Sequence, residues 1–118
     1  MSRCVCSCRS KKSAKLKSGK PPQVLEKILQ SSLKTFANGE TYCRYCESIR
    51  GADVFLVQTG SAPVDKHVME LLLMIQAAKL ASAKRITAVI PWFPYSRQDR
   101  KAKPREPISG RLVADMIQ

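Results

Sequence analysis

Three features of this 118-residue sequence predict an α/β domain built on parallel strands. They are two short unbroken apolar runs at 53–58 and 85–90, a long apolar-faced segment between them, and an amphipathic segment at 108–117. A short run that is apolar throughout suits a strand covered on both faces, as in parallel sheets. The order strand, helix, strand, loop, helix is normally realised as right-handed crossovers on such a sheet.

Taken in order, the elements begin after a polar start. Residues 1–20 hold seven basic residues, no acid and few apolar residues. Such a stretch buries too little surface to offset the entropy of ordering it, so it is expected to be a disordered tail. A nucleic-acid arm and an organelle transit segment are the alternatives, because it is rich in Arg, Lys and Ser. A globular pattern, taken as one domain over 21–118, starts at Pro21 and Pro22. There Val24, Leu25, Ile28 and Leu29 recur at helical spacing and predict a short helix. Leu33–Phe36 and Thr41–Glu47 predict two strands, joined by a turn over Ala37–Glu40 in which Gly39 supplies the permissive position. The product is a small hairpin or flap.

Asp53–Gln58 is the first buried strand, and Asp65 is a candidate N-cap for a helix over Lys66–Ala83. Gln76 and Lys79 interrupt that helix, which is too short to span a membrane. Arg85–Ile90 is the second buried strand, ended by Pro91, and Ile108–Ile117 opens a further helix. No capping glycine or proline follows Gln118, so the chain is expected to be a fragment.

Length allows one hydrophobic core and not two full domains. Lys plus Arg total 21 against 9 Asp plus Glu, a net charge of +12, of which the tail supplies +7. The second basic concentration comprises Arg97, Arg100, Lys101, Lys103, Arg105 and Arg111, with only Asp99 and Glu106 among them. That balance is compatible with an anionic partner, whether nucleic acid, a membrane surface or a polyphosphate. The five cysteines are odd in number and follow no apolar signal core, which argues against a secreted disulfide scaffold. Cys43 and Cys46 are three apart in a predicted strand and so point to opposite faces, which argues against a shared metal.

Chemistry concentrates in Pro91–Lys101, which leaves the carboxyl end of a buried strand, where open α/β sheets place ligands. Arg97 offers a planar fork for phosphate oxygens and Gln98 both a donor and an acceptor for a base or ribose edge. The alternative is a solvated basic loop. Phe36, Asn38 and Glu40 share parity and would point one way if the segment were extended, giving a stacking face and polar groups for a purine. The alternative there is a core Phe followed by a polar turn.

Several blocks carry a resemblance. Phe36-Ala37-Asn38-Gly39-Glu40, Glu47–Val54, Val68–Leu72, Arg85–Pro91, Phe93–Lys101 and Arg105–Ser109 resemble the PRPP synthetase (ribose-phosphate pyrophosphokinase) family in order and spacing over residues 33–118. The Phe-x-Asn-Gly-Glu and Tyr-Ser-Arg-Gln-Asp blocks together are the specific part. The resemblance implies an incomplete phosphoribosyltransferase-like (Rossmann-like) α/β domain with a parallel sheet and a flap hairpin. It implies transfer of pyrophosphate from ATP to ribose 5-phosphate, with magnesium whose ligands are expected downstream of residue 118. It further implies that Arg97, Gln98 and Asp99 belong to the ATP site, with Phe36, Asn38 and Glu40 closing over adenine from a neighbouring subunit, hence a homo-oligomer. Ser48, Arg50, Lys101 and Arg105 match segments of a regulatory phosphate or ADP site.

His67, the only histidine, matches none of the family's functional positions and is expected at the surface or beside the helix cap. Lys15–Gly19 with Leu25, Ile28 and Leu29 is faintly similar to the family's opening strand, turn and helix, while the cysteine-rich start has no counterpart. Catalytic residues are expected outside this stretch, so the chain alone should not catalyse. A non-catalytic regulatory relative and a basic nucleic-acid-binding module are the competing readings; no nucleic-acid fold signature supports the second. Cytoplasmic residence, with no membrane association, is the expectation from nucleotide metabolism and from the lack of a secretory segment.

Overall fold

The computed structural model describes the backbone of residues 5–10 and 25–29 and the full detail of residues 31–118. Its elements are β1 (Val5–Ser10), β2 (Leu25–Leu29), β3 (Ser31–Thr35), β4 (Thr41–Tyr45), β5 (Asp53–Val57), α1 (Val64–Leu80), β6 (Arg85–Val89) and α2 (Ser109–Ile117). The predicted βαβ unit is present: β5 and β6 pair in parallel, from Asp53 opposite Arg85 to Val57 opposite Val89, with α1 as the crossover. The predicted flap is the antiparallel pair β3–β4, with Leu33 opposite Cys43.

Two expectations for the amino-terminal part are corrected. Val5–Ser10, assigned to a disordered tail, is a strand lying between β2 and β5 and antiparallel to both. Leu25–Leu29, assigned to a helix, is the edge strand β2, paired with β1 from Cys6 opposite Leu29 to Ser10 opposite Leu25. Each has a physical cause. Five residues with apolar positions at both ends fit a helical turn or a strand, and strand pairing satisfies backbone groups that a single isolated turn leaves open. In residues 4–8 cysteines alternate with Val5 and Ser7, a period-two pattern that a count of charged residues hides. The remainder of the predicted tail, and the Lys15–Gly19 similarity, lie outside the described residues.

The core sits where α1 meets β5 and the hairpin. Val54 and Leu56, on one face of β5, pack with Leu71, Met74, Ile75 and Ala78 of α1, and Ile49 closes one end. The inward face of the hairpin adds Leu33, Cys43 and Tyr45 to this cluster. The Tyr45 hydroxyl donates to the Met74 carbonyl at 2.9 Å, anchoring β4 on the helix. α1 therefore serves two sheets at once, which is why so much of its circumference is apolar. Asp65 lies in its first turn and not at its cap, a position Pro63 occupies; the carboxylate still complements the helix dipole there.

Met74 has no exposed surface and lies at the meeting point of hairpin, helix and sheet. Met74→Ala is expected to lower the unfolding free energy by about 2–5 kcal/mol, measured by urea denaturation followed by circular dichroism.

Candidate functional site: a cleft at the carboxyl edge of the parallel pair

Because β5 and β6 run the same way, the segments that follow them leave the sheet at one edge. Gly60 brings them together. Its N–H donates to the Trp92 carbonyl at 2.8 Å, and a Cβ at this position would lie 2.7 Å from both the Pro94 nitrogen and the Trp92 oxygen. No side chain fits, so glycine is required by close approach. Between these segments and the first turn of α1 lies a cleft of about 710 Å³, bordered by Gly60, Ser61, Asp65, Trp92, Tyr95, Arg97 and Gln98.

Buried polar contacts tie the segment after β5 to α1. Gln58, at the end of β5, takes the Val89 carbonyl through its backbone N–H at 3.2 Å, and its side-chain amide donates to the Glu70 carboxylate at 2.8 Å. Both side chains are buried. Burial first, and the Glu70 charge second, push the Cys43 thiol above its ordinary value. His67 is buried, which corrects the surface expectation, although it is indeed beside the start of the helix. Its Nδ1 lies 2.8 Å from the Ser61 carbonyl, and since a carbonyl only accepts, Nδ1 carries the proton. This bond fixes one wall of the cleft to α1.

The other wall is a turn in an uncommon conformation. Tyr95 has φ +56°, a left-handed geometry that costs a non-glycine residue about 1–2 kcal/mol. The turn closes with the Gln98 N–H donating to the Tyr95 carbonyl at 2.9 Å, and the Gln98 carbonyl in turn accepts from Gly110 N–H at 3.1 Å at the start of α2. The Tyr95 hydroxyl donates to Asp65 across the cleft. That hydrogen bond, then the Asp65 charge, then slight burial, raise the Tyr95 phenol above its ordinary pKa. Beyond the turn, the Glu106 carboxylate accepts from the N–H groups of Ala102 and Lys103 at 3.1 and 2.9 Å, shaping the basic loop. Among the described residues, Arg97, Arg100, Lys101, Lys103 and Arg105 have no carboxylate partner; Arg111 belongs to α2 and pairs with Asp115 at 3.8 Å.

Arg97 and Gln98 thus border one cleft, while Asp99 is exposed in the following bend and does not line it. Phe36, Asn38 and Glu40 sit at the tip of the β3–β4 hairpin, outside that cleft's lining. Their segment is a turn and not extended, which corrects the parity argument. The Phe36 N–H donates to the Glu40 carbonyl at 2.8 Å, Gly39 has φ +90°, and the Asn38 side-chain oxygen accepts from Glu40 N–H at 3.2 Å. Curvature, not strand periodicity, groups the three. Asn38 spends its acceptor on the turn, leaving its amide N–H groups for a ligand. Phe36 is 55% exposed and meets Tyr42 edge-on at 6.0 Å between ring centres, so it is not a core Phe.

Ser48 and Arg50 are exposed in the turn that precedes β5, tied to the α1–β6 connection by Gly51 N–H to the Ser82 carbonyl at 2.9 Å. Lys101 and Arg105 are exposed in the loop that follows β6. The four are therefore reached from opposite ends of the parallel pair. Cys43 faces the core and Cys46 is exposed beside Tyr42 and Arg44 on the outer face of the hairpin, and both are free thiols. Among the described residues no three His, Cys, Asp or Glu side chains gather as a metal site would need, and no helix is long and apolar enough to cross a membrane. The sequence reading missed the Gly60–Ser61 wall; a glycine two residues past the apolar run Asp53–Gln58, at the same sheet edge as the basic loop, was the available signal.

Residues 21–118 match the sequence profile of the N-terminal domain of ribose phosphate pyrophosphokinase. The chain belongs to the ribose phosphate pyrophosphokinase family. It is 53% identical over 91 residues to the ribose-phosphate pyrophosphokinase of Corynebacterium efficiens, covering 77% of this chain and 28% of that protein. To the corresponding protein of Streptomyces coelicolor it is 58% identical over 82 residues, 70% of this chain and 25% of the relative. Its structure is similar to the crystal structure of phosphoribosylpyrophosphate synthetase from Mycobacterium smegmatis, with a TM-score of 0.75 and 50% identity over 77% of this chain and 30% of that one. The chain spans little more than a quarter of the length of these family members.

Two outcomes test the cleft. Gly60→Ala is expected to cost about 1–3 kcal/mol of stability in urea denaturation, because the added carbon meets backbone and not a side chain that can move. Asp65→Asn is expected to bring the Tyr95 phenol back toward its ordinary range, read as ultraviolet absorbance against pH with Tyr95→Phe identifying the signal. The raised phenol pKa means that the tether contributes at neutral pH and is lost as pH rises through that pKa.

Proposed function

We propose that this chain forms the ATP-binding part of a ribose-phosphate diphosphokinase, the transferase that moves the pyrophosphoryl group of ATP to ribose 5-phosphate and makes PRPP for nucleotide biosynthesis. The observation that carries this reading is the cleft at the carboxyl edge of β5 and β6, with Arg97 at its border making no ion pair among the described residues. That edge is where open α/β sheets receive nucleotides. Family membership supplies the substrate class.

Arg97 would hold phosphate oxygens through its planar fork, and Gln98, whose backbone is fixed at both N–H and carbonyl, would meet the ribose or base with its side chain. Asp99, next in the chain, would orient these groups or the ligand from the adjoining bend. The exposed Phe36 ring with Asn38 and Glu40 would close over the adenine. These residues stand outside the cleft of their own chain, so a second copy would deliver them, and a homo-oligomer follows. Ser48 and Arg50 would join Lys101 and Arg105 in a site for a regulatory phosphate or ADP. Their placement at opposite ends of the parallel pair favours assembly of that site between copies.

The family's chemistry uses magnesium. Among the described residues no three ligating side chains gather, so the ion would be held by groups other than these. What this chain contributes is positioning and neutralisation of the triphosphate, the main source of rate in phosphoryl-type transfer. A cytoplasmic setting, without membrane or nucleic acid as partner, accords with that chemistry.

By itself the 118-residue chain is expected to produce no PRPP from ATP and ribose 5-phosphate; turnover by the purified chain would show that the reaction needs nothing outside it. In calorimetric titrations, Arg97→Ala should weaken ATP binding about ten- to a hundredfold, the range of a charge-assisted contact. Phe36→Ala should weaken it about fivefold or more through the lost stacking surface. Unchanged affinity in Arg97→Ala would remove the cleft from consideration.

A further inference from the structure

We propose that Tyr95 and Asp65 are positioning residues for Arg97 and Gln98, a tether across the cleft that holds the 95–98 turn in its ligand-ready form; this rests on the nucleotide reading of the cleft. Tyr95 is the first residue of the turn that carries Arg97, and its left-handed backbone is a conformation the residue does not favour alone. Such an outlier persists only where neighbouring contacts over-determine it. Two contacts do so: the Tyr95 carbonyl accepts from Gln98 N–H within the turn, and the phenol donates to Asp65 in the first turn of α1. The first sets the shape of the turn and the second its place relative to the helix.

Core packing does not explain the arrangement. Tyr95 is 37% exposed and Asp65 is exposed, both border the cleft, and neither belongs to the buried cluster. The same hydrogen bond has a second consequence. Asp65 is the carboxylate that borders the cleft, where it would oppose a polyanion, and the phenol O–H directed at it offsets part of that charge. The turn is also the footing of α2, since the Gln98 carbonyl accepts from Gly110 N–H. Loss of the tether would let Arg97 and Gln98 swing with the basic loop.

The test is a calorimetric titration of magnesium ATP into the full 118-residue chain and its variants. Tyr95→Phe and Asp65→Ala are each expected to weaken binding about tenfold, the factor carried by one hydrogen bond of ordinary net strength, while Asp65→Asn, which keeps an acceptor, restores most of the affinity. Combined with Arg97→Ala, Tyr95→Phe is expected to cost a clearly smaller factor than in the wild-type background, because part of its effect passes through that arginine and only the Gln98 part remains. Equal affinity of wild type and Tyr95→Phe, or the same factor lost with and without Arg97, would overturn the proposal. Amide hydrogen exchange at Gln98 and Gly110 gives an arm that needs no ligand: faster exchange in Tyr95→Phe and in Asp65→Ala supports the tether, and unchanged protection in both overturns it. Should wild type not bind ATP, or Arg97→Ala bind as wild type does, the nucleotide reading falls, and the exchange result alone decides whether the tether holds the turn.

Discussion

Two neighbouring strands that run in the same direction must release their chains at the same edge, and the parallel pairing of β5 with β6 makes the cleft possible. With an antiparallel pair, the Gly60 and Tyr95 segments would leave from opposite ends and never meet. The crossover through α1 is what allows the parallel arrangement, because a short turn cannot return the chain to the same end. Gly60 then brings the two segments to backbone contact with Trp92 and Pro94, so the walls of the cleft behave as one unit.

A buried polar layer between α1 and the segment after β5 extends that logic inward. Gln58, Glu70 and His67 are buried, and the hydrogen bonds made by each link α1 to β5 or to the segment following it. Low local polarity strengthens such bonds and makes a broken one expensive, so this layer specifies one arrangement of helix and sheet where an apolar layer would tolerate several. The hairpin is secured differently, through Leu33, Cys43 and Tyr45 on the apolar side of α1, which leaves its tip and outer face exposed. A cleft and a projecting hairpin thus share one helix as their support.

The central elements were legible because their signals are strong and local. Asp53–Gln58 and Arg85–Ile90 are apolar runs of strand length, the segment between them is apolar on most sides, and Gly39 marks the hairpin turn. The amino-terminal strands were not legible. Leu25–Leu29 satisfies a helical spacing as well as a strand, and its pairing with β1 is a contact between segments that the intervening sequence does not announce. His67 lies beside the helix start, as one of the two expected placements had it, but its burial was not legible: a polar residue early in a helix is usually solvated, and only the approach of the Ser61 carbonyl supplies the partner that lets it be buried.

By itself the sequence determined the residue types and the end of the sheet at which they lie, because a basic loop following a buried strand lies at its carboxyl edge by connectivity alone. It also determined family membership, since the two specific blocks at Phe36–Glu40 and Tyr95–Asp99 are strings of residues that need no geometry to be read. Tertiary structure decided that Asp65 faces Tyr95, that Gly60 closes one wall on the other, and that the hairpin tip stays outside the cleft of its own chain. The physical reason is that these are contacts between segments some thirty residues apart, whose distances depend on how α1 packs between two sheets and not on any local pattern.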